Sequence, residues 1–223
     1  MTDADRRYQE QNIDGEQRRK LDSYRLLNEY ARKGQILFTG SSLMEQFPVQ
    51  ELLWANGDER IIYNRGVSGF TTTDMLHAME EMVFGLLPSR IFINIGTNDI
   101  GSPDYRPEHL AANCRRILKQ IRVRLPQAEI SVMAYYPVNE TVIAGGMTPE
   151  EAAGQFVTRN NRNIRLANQM MERLARELGC RFLDVNEGLT DEQGRLRKEF
   201  TVEGIHLYPN AYRVVLENLR KYL

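Results

Sequence analysis

The chain has little of what marks a disulfide-stapled, metal-binding or membrane-spanning protein. It has only 2 cysteines in 223 residues, without CxxC spacing, so neither a disulfide framework nor a cysteine-bound metal is indicated. Cys114 and Cys180 are expected to be small, half-buried core thiols. The longest apolar runs have the length of a strand, so no membrane span is expected.

Neither sign of charge dominates. The 29 basic and 30 acidic side chains give a formal net charge of −1, and no polybasic run indicates a nucleic-acid partner. The N-terminus is polar and lacks the apolar stretch of a secretory signal, which favours a cytoplasmic location. Because the composition shows no break, one domain is predicted over 16–223, preceded by a polar and mobile segment over 1–15.

Short apolar runs alternate with longer helical patterns along the chain, which is typical of βαβ units and a parallel sheet. Right-handed crossovers between them give an α/β fold, a three-layer α/β/α sandwich around a five-stranded parallel sheet. The predicted strands are Gln35–Thr39, Arg60–Asn64, Arg90–Ile95, Glu129–Ala134 and Arg181–Val185. The predicted helices cover about 17–33, 72 to just before Pro88, Pro107 to just before Pro126, 155–178 and 210–222.

Two segments lie outside the core of this predicted sandwich. The charged helix over about 17–33 precedes the first strand, so it could cover the sheet edge or pair with another subunit of a homo-oligomer. The segment Pro137–Gly154 contains Gly145, Gly146 and Pro149 and follows a strand. A loop of that length is often a lid or a binding loop.

Three residues that can offer a polar side chain or a free backbone N–H directly follow predicted strands. They are Ser42 after Ile36-Leu37-Phe38, Gly69 after Asn64, and Asn98 after Ile91-Phe92-Ile93. In open parallel sheets, ligands bind beyond the carboxyl ends of the strands, so a site is predicted at this edge. The chain has neither a Walker A loop nor a GxGxxG motif, so a nucleotide is not indicated.

A serine and a histidine could form a nucleophile and its base at this edge. Ser42 follows Gly40-Ser41, which allows a tight turn from strand to helix, although a serine there could equally be a helix N-cap. Of the 3 histidines, His77 and His109 fall within predicted helices, whereas His206 lies on a loop before the last helix. Glu203 could orient the His206 imidazole through its other nitrogen.

Backbone and amide N–H groups near the serine could stabilise an oxyanion. The amide of Ser42 lies at a helix start, and Gly69 allows close approach of its own N–H. Asn98 supplies a neutral amide donor near a strand end, though an Asx-turn is an equally reasonable interpretation.

Four blocks in order resemble the GDSL/SGNH hydrolase family: Gly40-Ser41-Ser42-Leu43, the glycine-containing turn from Asn64 to Gly69, Gly96-Thr97-Asn98-Asp99 and Gly204-Ile205-His206-Leu207. The resemblance implies a flavodoxin-like sandwich that hydrolyses esters without a metal or cofactor. It implies Ser42 as nucleophile and His206 as general base and then general acid. It also implies an oxyanion hole formed by Ser42, Gly69 and Asn98.

This sequence departs from the family pattern at two positions. Ser41 replaces the aspartate of the usual Gly-Asp-Ser, a residue that mostly shapes the turn. Glu203 stands where the family has an aspartate three residues before the histidine, and its longer side chain could hold the imidazole at a different angle. A backbone carbonyl could also orient the imidazole, which would leave a Ser–His dyad.

The substrate is the least determined part of the prediction. Phe70, Tyr135 and Tyr136 follow strands at the predicted edge, where they could bind a sugar or an acyl chain, or could simply be packing residues. We expect a small ester with a short acyl group and a polar leaving group, such as a sugar ester or a lysophospholipid-like molecule. The alternatives are a non-catalytic ligand- or carbohydrate-binding module on the same scaffold and an acyltransferase.

Overall fold

The computed structural model describes residues 2–143, 145 and 147–223. Its five parallel strands are β1 (Ile36–Gly40), β2 (Ile62–Gly66), β3 (Arg90–Asn94), β4 (Glu129–Met133) and β5 (Arg181–Leu183). They form one sheet in the order β2-β1-β3-β4-β5. The predicted five-stranded parallel sheet is therefore confirmed, and its three N-terminal strands lie side by side.

Helices connect and cover these strands. The α-helices found in the described residues are α1 (Asp3–Asn12), α2 (Gly15–Tyr30), α3 (Ser42–Glu45), α4 (Val49–Trp54), α5 (Thr72–Leu76), α6 (Met79–Met82), α7 (Thr97–Ile100), α8 (Pro107–Arg124), α9 (Pro149–Phe156), α10 (Asn161–Glu177) and α11 (Pro209–Leu219). Short 3-10 turns lie at Phe84–Leu86, Lys198–Phe200 and Arg220–Tyr222. No helix in the described ranges is long and apolar enough to cross a membrane. The cytoplasmic location and the homo-oligomer stay predictions.

The sheet separates two apolar cores, because successive side chains of a strand point to opposite faces. Leu37 of β1 and Ile91 of β3 pack into one core, with residues of α2, α5, α8 and α10. Their neighbours Phe38 and Phe92 pack into the other, with residues of α3, α4 and α11. Both faces of the sheet are thus covered, as the predicted three-layer α/β/α sandwich requires.

The described part of the segment 1–15, which was expected to be polar and mobile, contains a helix. Thr2 begins α1 with a capping box. The Tyr8 hydroxyl donates to Asp74 Oδ1 at 2.8 Å, and the Gln9 amide donates to the His77 carbonyl at 2.7 Å. The first helix therefore packs on residues 74–77 of its own chain.

Two predicted helices are interrupted. The one predicted over 155–178 is divided, since α9 ends at Phe156 and α10 begins only at Asn161. The Asn160 side chain accepts a hydrogen bond from the Asn163 N–H and so caps the second helix. The helix predicted from 72 is divided into α5, α6 and a 3-10 turn. The loop predicted over 137–154 contains the start of α9, and its Gly146 lies outside the described residues.

Glycines permit two close backbone approaches at the edge where the site is predicted. Gly40, at the end of β1, has φ +155°, and a Cβ there would lie 1.9 Å from the Asn94 carbonyl oxygen. A Cβ at Gly66, at the end of β2, would lie 2.2 Å from the Glu45 backbone nitrogen. Both neighbours are backbone atoms, so a side chain at Gly40 would displace the end of β3 and one at Gly66 would displace the turn that follows β1.

Gly40→Ala should therefore destabilise the protein strongly, by at least about 3 kcal/mol, because backbone strain and steric overlap add. Gly57→Ala is the matched control, since Gly57 also has a positive φ (+70°) but has no atom within 4 Å of the added Cβ. The control should lose only about 1 kcal/mol. Denaturant unfolding measures both, and equal losses would contradict the steric argument.

Candidate active site

Ser42 is the first residue of α3, immediately after the turn that leaves β1. Ser41 has the extended backbone of an N-cap residue, so Ser42 is not the cap that its position in the sequence allowed. The Ser42 side chain is instead close to the loop before α11, where its Oγ lies 2.9 Å from His206 Nε2. The residue is largely buried, with 7% of its surface exposed.

A tight turn over residues 201–207 holds His206. The Thr201 hydroxyl donates to the His206 carbonyl at 2.8 Å and accepts from the Gly204 N–H at 2.9 Å. Gly204 has φ +94°, and a Cβ there would lie 2.2 Å from the Asn139 carbonyl oxygen. The Asn139 N–H donates to the Gly204 carbonyl at 2.8 Å. Asn139, near the beginning of the loop after β4, therefore packs against the turn that carries His206 and holds it in place.

Glu203 contacts His206 at two points. Its Oε1 accepts a hydrogen bond from the His206 backbone N–H at 3.1 Å and another from His206 Nδ1. With the proton on Nδ1, a neutral imidazole presents an acceptor at Nε2, so the Ser42 hydroxyl donates to it. Burial raises the pKa of Glu203, but the hydrogen bonds and electrostatic attraction of His206 outweigh burial and hold this pKa below its ordinary value.

Gly69 lies in the loop that follows β2, next to the turn of Ser42. It has φ +78°, and among the described residues its N–H donates to no protein acceptor. The preceding Ser68 is fixed on both sides, since its N–H donates to Glu45 Oε2 at 2.6 Å and its carbonyl accepts from Gln17 Nε2 at 2.8 Å. A free N–H on a loop with anchored neighbours can serve as a donor to a bound anion.

One face of α2 holds this loop. Gln17, Lys20 and Tyr24 lie three and four positions apart, on the same side of the helix. The Tyr24 hydroxyl donates to the Gly66 carbonyl at 2.6 Å, and Lys20 pairs with Glu45 at 2.8 Å. The helix predicted over 17–33 therefore covers the β2 edge of its own sheet.

Asn98 is the second residue of α7, directly beyond β3. Its Nδ2 donates to the Phe70 carbonyl at 3.0 Å, and its Oδ1 accepts from Arg159 Nη2 at 3.2 Å. These are long-range contacts, so the Asx-turn interpretation is wrong. The neighbouring Asp99 accepts from the Thr72 N–H at 2.9 Å, and burial raises the pKa of this carboxyl above its ordinary value.

The three aromatic residues predicted to bind substrate are core residues instead. Phe70, Tyr135 and Tyr136 are each at most 2% exposed. The Tyr135 hydroxyl donates to the Ile95 carbonyl at 2.9 Å, and Tyr136 packs among the side chains of the second core. Their predicted role in substrate binding is therefore wrong in this structure, because no ring face is open to a ligand.

Ser41, which stands in place of the aspartate of the usual Gly-Asp-Ser, lies in the turn between β1 and α3. The Ser41 N–H donates to the Asn94 carbonyl at 3.3 Å, and its carbonyl accepts from the N–H groups of Met44 and Glu45. Its buried hydroxyl finds no hydrogen-bond partner in the described part of the chain. The residue therefore contributes to the turn through its backbone.

Sequence reasoning missed two residues that contact the predicted site. Arg159, in the segment between α9 and α10, donates to Asn98, and Tyr212 of α11 donates to the Leu43 carbonyl at 2.9 Å. Both were hidden inside predicted helices. The cluster of polar residues around Asn160 was the only signal of an interruption there, because asparagine is a preferred N-cap.

Comparison with known proteins agrees with this fold and with the resemblance found in the sequence. The sequence profile of the GDSL-like Lipase/Acylhydrolase family matches residues 42–214, so the chain belongs to this family of acylhydrolases. A solved structure provisionally described as a platelet activating factor from Streptococcus pneumonia is 31% identical, covers 92% of each chain and has a TM-score of 0.79. The acetyl xylan esterase AlAXEase has the same fold, with a TM-score of 0.65 at 15% identity, over 84% of this chain and 98% of its own.

One curated relative is a larger protein. The N-acylneuraminate cytidylyltransferase of Escherichia coli O18:K1:H7 is 23% identical over 211 residues, which are 90% of this chain and 45% of that protein. The chain therefore spans about half the length of the curated relative it matches. The cytidylyltransferase activity in its name belongs to that larger protein and is not assigned to this chain.

The lowered pKa of Glu203 leads to a test of stability against pH. A carboxyl whose pKa is lower in the folded state stabilises that state above its unfolded pKa, and this contribution is lost as the pH falls. Glu203→Gln should thus lower the free energy of unfolding by about 1 kcal/mol at pH ~7 and by much less at pH ~3. Urea unfolding at both pH values measures it. The exposed Glu192→Gln is the control, and a Glu203→Gln difference that does not change with pH would contradict the prediction.

Proposed function

We propose that the protein is a serine esterase that cleaves a small carboxylic ester through a covalent acyl-enzyme. The observation that carries this proposal is the chain of contacts from Ser42 Oγ to His206 Nε2 and from His206 Nδ1 to Glu203. A serine hydroxyl is a weak nucleophile unless a positioned base takes its proton, and this arrangement supplies the base together with a carboxylate that orients it.

The proposed reaction begins with a protonated Ser42 hydroxyl and a His206 imidazole whose Nε2 can accept a proton. Ser42 Oγ attacks the ester carbonyl while its proton passes to His206 Nε2, and Glu203 stabilises the resulting imidazolium. The tetrahedral intermediate then collapses, and His206 returns the proton to the departing alcohol. Water then attacks the acyl-enzyme carbonyl while one of its protons passes to His206 Nε2. The second tetrahedral intermediate collapses, His206 returns this proton to Ser42 Oγ, and the carboxylic acid leaves the regenerated enzyme.

Three donors are proposed for the oxyanion: the backbone N–H groups of Ser42 and Gly69 and the side-chain amide of Asn98. Their support is that these residues follow three adjacent strands of the sheet, β1, β2 and β3. The Gly69 N–H and the second hydrogen of Asn98 Nδ2 have no protein acceptor among the described residues. Preorganised donors of this kind are worth about 10²–10³ in turnover each.

The surroundings of Gly69 favour a polar leaving group. A cavity of about 340 Å³ opens beside it, lined by polar side chains and a few apolar atoms: Asp14, Glu16, Gln17, Lys20, Glu45, Val67 and Ser68. Such a lining suits hydroxyl groups, which exchange hydrogen bonds with carboxylates, amides and ammonium groups alike. Together with the acetyl xylan esterase neighbour, it supports a short-chain ester of a sugar as the substrate class.

Replacing the nucleophile tests the proposal. Ser42→Ala should abolish hydrolysis of p-nitrophenyl acetate and labelling by a fluorophosphonate probe, because both require the activated Oγ. The melting temperature should stay nearly unchanged, since only one hydroxyl is lost. Ser41→Ala is the matched control and should keep both activities, because its hydroxyl has no partner.

Three outcomes separate the alternatives. Hydrolysis retained in pure Ser42→Ala protein would refute Ser42 as nucleophile. A wild-type protein that binds acetylated sugars but neither turns over nor reacts with the probe would be a binding module. Ester products that appear when alcohols are added would identify an acyltransferase.

A further inference from the structure

Arg159 contacts the oxygen of the Asn98 amide, whereas Phe70, the residue after Gly69, contacts the nitrogen of the same amide. Arg159 lies in the four-residue break between α9 and α10 and is half-buried. Its Nε donates to the Thr97 carbonyl at 3.1 Å, and its Nη2 donates to Asn98 Oδ1 at 3.2 Å. One planar guanidinium thus holds the backbone and the side chain of two consecutive residues of α7.

These contacts determine which way the Asn98 amide points. A guanidinium can only donate a hydrogen bond and a carbonyl oxygen can only accept one. Oδ1 therefore faces Arg159, and Nδ2 faces the Phe70 carbonyl. A flipped amide would lose both bonds and would place two acceptors against each other at Phe70. The NH₂ group accordingly keeps one hydrogen for Phe70 and one for a ligand.

The charge of Arg159 is not neutralised by its direct partners. Both acceptors are neutral, and the acidic group that acts on it, Glu203, is already bonded to His206. Burial lowers the pKa of Arg159, and attraction to Glu203 opposes this shift. An arginine nonetheless stays protonated in proteins. A positive charge bonded to Oδ1 draws electron density from the amide, which makes its N–H groups stronger donors.

Gly101 provides the space for this guanidinium. A Cβ at Gly101 would lie 2.1 Å from Arg159 Nη2 and 2.4 Å from Cζ. The backbone there has φ −80°, which any residue adopts, so the turn itself does not require a glycine. The missing side chain is explained by the position of Arg159.

We propose that Arg159 is a positioning residue that orients and polarises the Asn98 amide for oxyanion stabilisation. The inference rests on the proposed esterase function and on Asn98 as an oxyanion donor. It assigns Arg159 no contact with the substrate. Its effect must therefore pass through Asn98 and must concern the transition state more than substrate binding.

A double-mutant cycle tests this coupling. Asn98→Ala should lower kcat for p-nitrophenyl acetate about 10²–10³-fold. Arg159→Ala should lower it roughly 10- to 100-fold with little change in KM, because an oriented, charge-assisted bond is lost. In the double variant the loss should equal that of Asn98→Ala alone, since no amide remains to be positioned.

Gly101→Ala offers a second route that leaves the arginine in place. The added methyl displaces the flexible end of Arg159, so kcat should fall by up to ~10-fold while the melting temperature changes little. In the Arg159→Ala background the same substitution should have no further effect on kcat. Gly154→Ala, with no atom within 4 Å of its Cβ, and the exposed Arg162→Ala are matched controls and should leave kcat unchanged.

The outcomes distinguish the two proposals. If wild-type protein shows Ser42-dependent hydrolysis but the losses of Arg159→Ala and Asn98→Ala multiply, the positioning role is wrong and the esterase stands. A rise in KM with unchanged kcat would equally overturn it, because Arg159 would then bind substrate. Should Arg159→Ala fail to fold, Arg159→Lys replaces it in the cycle. Lysine keeps the charge but loses the planar fork, so the loss in kcat then measures the orienting role alone and must still disappear in the Asn98→Ala background. Wild-type protein without Ser42-dependent turnover would overturn both proposals.

Discussion

The contact between Ser42 Oγ and His206 Nε2 joins residues 164 positions apart, and the remainder of the site is arranged around it. Ser42 follows β1, the strand next to the β2 edge of the sheet, whereas His206 lies beyond β5 in the chain, between the last strand and α11. Their approach depends on the docking of α11 against the second core. The Tyr212 hydroxyl secures that docking locally, because it donates to the carbonyl of Leu43, the residue after the serine.

A second set of bonds ties neighbouring strand ends to one another. Glu45, after β1, accepts from the Ser68 N–H after β2. Asn98 and Asp99, after β3, bond to Phe70 and Thr72 in the segment that leaves β2. The three turns therefore form one network, in which Asn98 and Ser68, the residue before Gly69, each bond to a turn other than their own. Such cross-bonding fixes donor positions before a substrate arrives, which electrostatic preorganisation requires.

The sequence predicted well the features that depend on local pattern. Each predicted strand matches an observed one within a few residues, because runs such as Ile91-Phe92-Ile93 are apolar on both faces of the sheet. The edge at which Ser42, Gly69 and Asn98 gather follows from parallel strand direction alone. The contact of His206 with Ser42 and Glu203 was also predicted, from its loop position and from the order of the blocks.

Features that depend on packing could not be predicted in the same way. A position after a strand does not reveal whether a side chain points into the core, so Tyr135 and Tyr136 were assigned to the site although they are buried. Helical periodicity continued through 155–178, so the break that presents Arg159 was not visible. The α1 segment is polar, and its capping box was the only local sign that it is a helix.

Glu203 shows how the chain accommodates a side chain one methylene longer than the family's aspartate. Its carboxylate returns to the turn that carries it, where the same oxygen accepts from both the backbone N–H and the ring of His206. The backbone bond removes the torsional freedom that the extra methylene would introduce. The ring and the carboxylate are then fixed to one another by a single residue, and the Gly204 turn, pressed against Asn139, fixes both to the fold. A longer acid is therefore compatible with an oriented imidazole, provided that this turn keeps its shape.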